Sequence, residues 1–193
     1  MNTPTHTLLA LAALSKRGDR KRNLAVLIGS LIPDAALFLW APYQYLVNDV
    51  SGTEMWETLY FGPTMQNLIA WFNSIPIYAL LAIIGFAARE KTWGKLLLFF
   101  ALAALIHMAT DLPVHAEDAY RHFWPLTDWR FYSPLSYWDA DHHSRWVSLF
   151  EIALAFGCIV LLWRRFPKLW VKITLSLTSF FYIALLAAFV IFR

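Results

Sequence analysis

The residues best suited to chemistry lie in the stretch LIHMATDLPVHAEDAYRHFWPL, residues 105–126. Its histidines and aspartates follow one another at steps of four, four, three and four residues: His107, Asp111, His115, Asp118 and His122. At about 100° per residue, the five side chains would cover less than a quarter of the circumference of one helix. Imidazole and carboxylate groups at this spacing predict a zinc-type metal site with metal-activated water chemistry. The alternative is a group of polar loop residues near water.

A proline interrupts this series. Pro113 lacks a backbone N–H donor and should kink or end a helix at its position. The five side chains can then be shared between the end of one helix and a following short helix. They also lie where an apolar run opens into a polar segment, and ionisable groups at the mouth of a membrane span indicate a functional site.

The composition places these residues in a membrane protein. Of the 193 residues, 59% are hydrophobic and only 15% are charged, whereas soluble domains carry about a quarter charged residues. The length allows one integral membrane domain, residues 1–193. The net charge of +3 does not indicate a nucleic-acid partner, because the basic residues lie in short clusters between apolar runs. The single cysteine, Cys158, excludes an intrachain disulfide or a thiolate cluster.

The apolar runs predict an all-α, polytopic membrane helix bundle with about five spans and a short N-terminal helix. The predicted spans are residues 23–43, 75–88, 94–110, 148–163 and 173–192. Thr3 before Pro4 predicts the start of the first helix, whose apolar run ends at Leu14 and is too short to cross a hydrocarbon core of about 30 Å. The two long connections, residues 44–74 and 111–146, are rich in aromatic residues and predict interfacial helices.

Basic residues predict the orientation of the chain. Three short turns, residues 16–22, 89–95 and 164–172, hold 5, 3 and 4 of the 16 lysines and arginines. By the positive-inside rule these turns face the cytoplasm, and both long connections lie outside. The oligomeric state does not follow from the sequence.

Helix rise then gives the depth of each ionisable group. His6 lies ten residues before Lys16, about 15 Å from the cytoplasmic turns. Asp34 follows Arg22, and His107 follows Lys95, by twelve residues each, or about 18 Å. Three helices are therefore expected to bring a histidine, an aspartate and a histidine to one level. The alternatives are a capped surface group for His6 and, for Asp34, a cap on the helix that restarts after Pro33.

With these residues placed, the chain resembles the bacterial membrane-bound metal-dependent hydrolases, inner-membrane proteins distantly similar to zinc-dependent phospholipase C. The matching features are His6 in a short N-terminal helix, the G-x-L-x-P-D motif at residues 29–34, the pair His107 and Asp111, and the segment 122–126 with F-W-P-L. The family carries an H-R-x-x-x-H segment between its second and third spans. Here that stretch contains Gln66 and Asn67.

The resemblance implies hydrolysis of a phosphoester or related bond in a membrane lipid or lipid-linked substrate. One or two divalent metal ions, of which zinc is the expected one, would bind His6, Asp34, His107 and Asp111. The residues expected to complete a second metal position are His115, His122 and His142. Asp118 is expected to orient a water molecule, and the fork-shaped guanidinium of Arg121 or Arg130 to bind a phosphate.

The second hypothesis is a non-enzymatic metal-binding membrane protein, namely a sensor, a scaffold or a transporter. A transporter needs polar residues along a path to the cytoplasm, and the last two predicted spans offer few polar side chains. This pattern disfavours transport. The sequence is also compatible with a metal-binding scaffold.

Overall fold

Over the residues that the structure describes, the chain forms helices joined by turns and loops, with no strand, as the all-α prediction requires. The computed structural model describes residues 1–191, with side chains as far as Ala187. The α-helices are α1 (Thr3–Leu14), α2 (Arg20–Leu31), α3 (Ala35–Val47), α4 (Gly52–Glu54), α5 (Pro63–Phe72), α6 (Ile75–Ala87), α7 (Thr92–Asp111), α8 (Ser144–Arg165) and α9 (Leu169–Ile191). Short 3₁₀ helices cover Ile32–Asp34, Leu112–Val114 and Ala140–His142, and a π-helical turn covers Met55–Leu59.

Five helical segments are long and apolar enough to cross a membrane, which confirms the predicted bundle and makes this a membrane protein. They are Arg20–Val47, Pro63–Ala87, Thr92–Val114, Ser144–Arg165 and Leu169–Ala187. The first helix α1 stands apart from them with 12 residues. Phe192, the last residue of the predicted fifth span, lies outside the described residues.

The second spanning segment is longer than predicted. It begins at Pro63 rather than at residue 75, because α5 leads directly into α6. Pro63 occupies the first turn of α5, where its missing N–H costs nothing. Ser74 then caps α6 by accepting a hydrogen bond from the backbone N–H of Ile77. Residues 63–72 therefore belong to the bundle, and the prediction that they form part of the connection 44–74 is wrong.

Helix α7 is the centre of the bundle and packs against α1, α2 and α6. The contact with α2 is a close approach of two backbones at Gly29, where an added Cβ would overlap the carbonyl oxygen of Phe100. Only glycine permits this approach. The approach sets the distance between α2 and α7, and therefore between Asp34 and His107.

Helix α1 is held at both ends by α8. The Glu151 carboxylate accepts hydrogen bonds from the backbone N–H of Asn2 at 2.8 Å and from the Thr5 hydroxyl at 2.6 Å. At the other end, Arg165 donates to the carbonyl oxygens of Leu11 and Ser15, each at 3.1 Å. An acid at the helix start and a base at its end satisfy unpaired backbone groups and match the helix dipole. These contacts fix α1, and with it His6, parallel to α8.

Replacing Gly29 with alanine should destabilise the protein, because the new methyl group meets the backbone of Phe100 and the helices must separate. We expect a loss of about 1–3 kcal/mol, the usual cost of overpacking. Thermal unfolding in detergent measures it. The control is Gly157→Ala on α8, where an added Cβ meets nothing within 4 Å. Equal melting of the two variants would contradict the close approach.

Replacing Glu151 with alanine should loosen the start of α1 and reduce metal binding, even though Glu151 is not a predicted ligand. The side chain is 1% exposed, and its removal leaves the Asn2 amide and the Thr5 hydroxyl without their acceptor. Metal content after dialysis is the measurement. The exposed carboxylate Glu117 provides the control, as Glu117→Ala should keep wild-type metal content. Retention of metal by Glu151→Ala would show that α1 is not positioned by this contact.

Candidate metal centre

Four of the predicted ligands meet in one buried cluster drawn from three parts of the bundle. His6 comes from α1, Asp34 from the 3₁₀ turn after α2, and His107 and Asp111 from the last two turns of α7. His6 and His107 are fully buried, Asp111 is 2% exposed and Asp34 is 8% exposed. Donor atoms of His6, His107 and Asp111 lie within 4.8 Å of one another, so this group could hold a metal ion.

Asp111 lies at the centre of the cluster. Its Oδ1 atom is 2.9 Å from His6 Nε2 and 2.8 Å from the amino group of Met1. Its Oδ2 atom is 3.4 Å from His107 Nε2, and that nitrogen is 3.5 Å from Asp34 Oδ1. The His6 and His107 rings stack with centroids 3.7 Å apart and an interplanar angle of 18°. Both Nε2 atoms therefore face the same carboxylate.

The Nδ1 atoms of both histidines have hydrogen-bond partners, and the partner of His107 fixes its tautomer. His107 Nδ1 donates to the carbonyl oxygen of Ser30 at 2.8 Å, since a carbonyl can only accept. His6 Nδ1 lies 2.8 Å from the hydroxyl of Thr110, which itself donates to the carbonyl of His107. With its proton on Nδ1, a neutral His107 directs its Nε2 lone pair at two carboxylates. Lone pairs repel each other, so a proton or a cation must lie between them.

The separations around His107 fit a metal shell. In a tetrahedral site with bonds of about 2.0–2.1 Å, neighbouring ligand atoms lie about 3.3–3.4 Å apart. The measured separations from His107 Nε2 to the two carboxylates are 3.4 and 3.5 Å, and Nε2 makes no hydrogen bond among the described residues. Two stacked imidazolium ions would repel each other, whereas one divalent ion satisfies both lone pairs. The residues present therefore fit a divalent metal.

The segment after α7 adds two more histidines, but not along a single helix. Helix α7 ends at Asp111 and the 3₁₀ turn contains Pro113, so residues 115–122 form turns and loop. The single helical face considered for these residues is therefore wrong, and so is the short following helix. His115 Nε2 nevertheless lies 3.4 Å from Asp111 Oδ1, because only the 3₁₀ turn separates the two residues.

These loop histidines show the same hydrogen-bond arrangement. His122 Nδ1 donates to the carbonyl of Asn73 at 3.1 Å, and its buried Nε2 has no partner among the described residues. His115 Nδ1 donates to Asp118 Oδ2 at 2.8 Å. Metal-binding histidines characteristically donate their other ring N–H to a carbonyl or carboxylate. The donor pattern of His115 and His122 is thus that of metal ligands.

Asp118 supports His115 rather than joining the cluster directly. Its Oδ2 atom accepts from His115 and also from the Trp138 indole N–H at 3.0 Å. Burial raises the pKa of Asp118, but these hydrogen bonds outweigh burial and hold the pKa below its usual value. Burial lowers the pKa of His115, but the charges of Asp111 and Asp118 raise it above its usual value. The Oδ1 atom of Asp118 is buried and has no hydrogen-bond partner among the described residues.

The other predicted site residues have partners of their own. Arg121 contacts the Gln66 carbonyl, the Asn67 side chain and Asp128. Arg130 donates to the carbonyl of Ala119 at 2.8 Å. His142 pairs with Asp139 at 2.7 Å and is partly exposed. The structure therefore does not bring these three side chains into the buried cluster.

Several contributors were not found by sequence reasoning. Thr3 donates to Asp34 Oδ2 at 2.5 Å, and Thr110, Ser30 and Asn73 supply the partners of the imidazoles. Ser30 and Asn73 act through backbone carbonyls, which leave no signal in side-chain chemistry. Thr110 does leave a signal in the sequence, because it lies three residues after His107 on the same helix. Glu151 contributes indirectly, because it anchors α1 and with it His6.

Loss of one ligand should lower metal content and leave a carboxylate uncompensated. We expect His107→Ala, Asp34→Asn and Asp111→Asn each to bind less zinc and to melt at a lower temperature. The two aspartate substitutions should combine non-additively, because both remove charge from one site. Elemental analysis and thermal unfolding provide the measurements.

The matched control for the histidine is His143→Ala. His143 is exposed, and its backbone is left-handed with φ of 62°. It should retain wild-type zinc. Comparable losses from His143→Ala and His107→Ala would contradict the assignment, as would full metal content after loss of both His6 and Asp34.

The chain is thus an α-helical membrane protein with a buried histidine–aspartate group able to hold a metal ion. No protein-family model, curated protein or solved structure matches it. What the protein does must therefore be argued from the site itself.

Proposed function

We propose that this protein is a zinc-dependent hydrolase of the bacterial inner membrane, acting on a phosphoester or related bond of a lipid or lipid-linked substrate. One observation carries the proposal: four histidines in and beside the cluster have Nδ1 hydrogen-bonded to a hydroxyl, carbonyl or carboxylate, and each leaves Nε2 beside a carboxylate or buried without a partner among the described residues. Such an arrangement costs stability in an apolar bundle unless it binds something. The resemblance to membrane-bound metal-dependent hydrolases supports the same class.

The proposed ligands are His6, Asp34, His107 and Asp111. When bound, a divalent ion supplies Lewis-acid polarisation of a phosphoryl oxygen and acidifies a neighbouring water molecule. The protein residues hold their positions throughout: Ser30 and Thr110 fix the imidazoles, and Thr3 fixes the Asp34 carboxylate. The bundle excludes bulk water from them, which strengthens each electrostatic contact.

Asp118 is the proposed proton acceptor. Its Oδ2 atom is held by His115 and Trp138, so the unpartnered Oδ1 atom is the one available to orient water and take up its proton. His115 donates from Nδ1 to Oδ2 and so holds the Asp118 carboxylate in place for that step. The phosphate-binding roles of Arg121 and Arg130 stay predictions, and this mechanism does not use them.

The orientation proposed from the basic turns puts the site near the outer face. Cysteine introduced at Ser51 or Thr127, both exposed, should react with a membrane-impermeant maleimide added to intact cells. Cysteine at Lys91 should react only after the membrane is opened. The native Cys158 is 5% exposed and should give little background. Labelling of Lys91→Cys in intact cells would reverse the orientation.

The complete burial of two proposed ligands, His6 and His107, favours a second function. His6 and His107 are 0% exposed, and closed metal sites are typical of structural rather than catalytic metals. The alternative is therefore a membrane scaffold or sensor that folds around its metal. Metal removal would then unfold it, whereas a catalytic site would lose activity first.

Turnover decides between the two functions. Zinc-loaded protein in detergent should release phosphate or a phosphoalcohol from at least one member of a panel of phospholipids and lipid phosphates. Asp118→Asn should bind zinc as the wild type does and lose about 10²–10⁴-fold in rate, the usual contribution of a general base. Stoichiometric zinc without turnover on any member would favour the scaffold.

A further inference from the structure

A narrow apolar slot lies directly beside the metal centre, between helices α7 and α8. It encloses about 170 Å³. Its walls are Ala109, Thr110 and Pro113 on one side and Val147, Phe150 and Leu154 on the other, with Met1 at one end. None of these side chains carries a charge.

The slot faces the apolar surroundings of the bundle. Both helices belong to segments able to span a membrane. Ala109 and Pro113 are exposed and Phe150 is 69% exposed, whereas Val147 and Val114 are nearly buried at 8% and 9%. The slot therefore runs from the outer surface of the bundle inwards.

Its inner wall contacts the metal centre. The Thr110 hydroxyl lies 2.8 Å from His6 Nδ1, and the Met1 amino group lies 2.8 Å from Asp111 Oδ1. A molecule that reached both places would have a hydrocarbon part in the slot and a polar part at the cluster. Such a molecule is an amphiphile.

We propose that the slot holds the first part of a single hydrocarbon chain of the substrate, which enters sideways between α7 and α8. At about 30 Å³ for each group the size of a water molecule, the volume takes about five or six chain atoms. This inference rests on the proposed hydrolase function for the identity of the head group. The substrate class is then a lipid phosphate whose phosphate is close to one flexible chain.

A volume of about 170 Å³ is filled by the first atoms of one chain. A glycerophospholipid can use the slot with one chain and leave the other outside. A lipid with its chain bonded directly to the phosphate can use it as well. The shared chemistry is one hydrocarbon chain beside a phosphate, and two probes distinguish the sources.

The test is photochemical crosslinking of the full-length protein in detergent. The probes are an alkyl phosphate and a phosphatidic acid, each with a diazirine in the part of a chain nearest the head group. Peptide mass spectrometry should place the adducts in residues 109–114 and 147–154. Filling the slot with Ala109→Trp, or from the opposite wall with Leu154→Trp, should reduce that labelling about tenfold, which is typical of discrimination by an apolar pocket.

The matched control is Ala153→Trp, the same substitution at an exposed alanine of α8 that does not line the slot. It should keep wild-type labelling, and melting temperatures confirm that all variants are folded. If only the alkyl phosphate labels the slot, the ligand is a lipid whose chain is bonded directly to the phosphate. If both probes label it, the slot accepts a glycerolipid as well. Adducts spread evenly over the surface, or unchanged in both filled variants, overturn the inference.

Failure of the proposed function gives a different result. If the slot is labelled and the zinc-loaded protein turns over neither compound, the slot binds lipid but the protein is not a hydrolase for it. If both are turned over and the slot is not labelled, the hydrolase stands and the slot does not hold the chain. Long-chain turnover that falls in Ala109→Trp, with short-chain turnover unchanged, supports both.

Discussion

Two carboxylates buried in an apolar bundle are the constraint on which the rest of this structure depends. Asp34 and Asp111 lie in membrane-spanning segments, where an uncompensated charge costs several kcal/mol. The described residues offer them hydroxyl groups, the amino group of Met1 and imidazole nitrogens. The proton of His107 lies on Nδ1, where it bonds the carbonyl of Ser30, so the Nε2 lone pair of His107 needs a cation as the carboxylates do. A divalent ion meets both needs at once.

The architecture follows from holding these groups together. Helix α1 is too short to span a membrane and makes its strongest polar contacts with α8, through Glu151 at its start and Arg165 at its end. The glycine contact between α2 and α7 brings the Asp34 turn against His107. The 3₁₀ turn after α7 places His115 beside Asp111, four residues earlier. The contacts of α1 with α8 and of α2 with α7 join segments far apart in sequence, so the site forms only when the bundle is complete.

Much of the fold and part of the site could be predicted from sequence, for identifiable reasons. Long apolar runs indicate membrane spans directly. Helix rise predicts a common depth for His6, Asp34 and His107, and in the structure the His6 ring stacks on the His107 ring, whose Nε2 lies 3.5 Å from Asp34 Oδ1. The span that begins at Pro63 is not predicted, because polar and aromatic residues are interspersed among its apolar residues. The path after Pro113 was missed because loop geometry is set by distant partners such as Asn73 and Trp138. Carbonyl partners of imidazoles are invisible in a sequence, since every residue has a carbonyl.

Anomalous diffraction from zinc-loaded crystals tests most directly whether three separate helical segments share one metal ion. We expect an anomalous peak about 2.0–2.2 Å from His6 Nε2, His107 Nε2 and an Asp111 oxygen, with Asp34 completing the shell. A peak bound only by His115 and His122, or no peak in protein that retains stoichiometric zinc elsewhere, would contradict it.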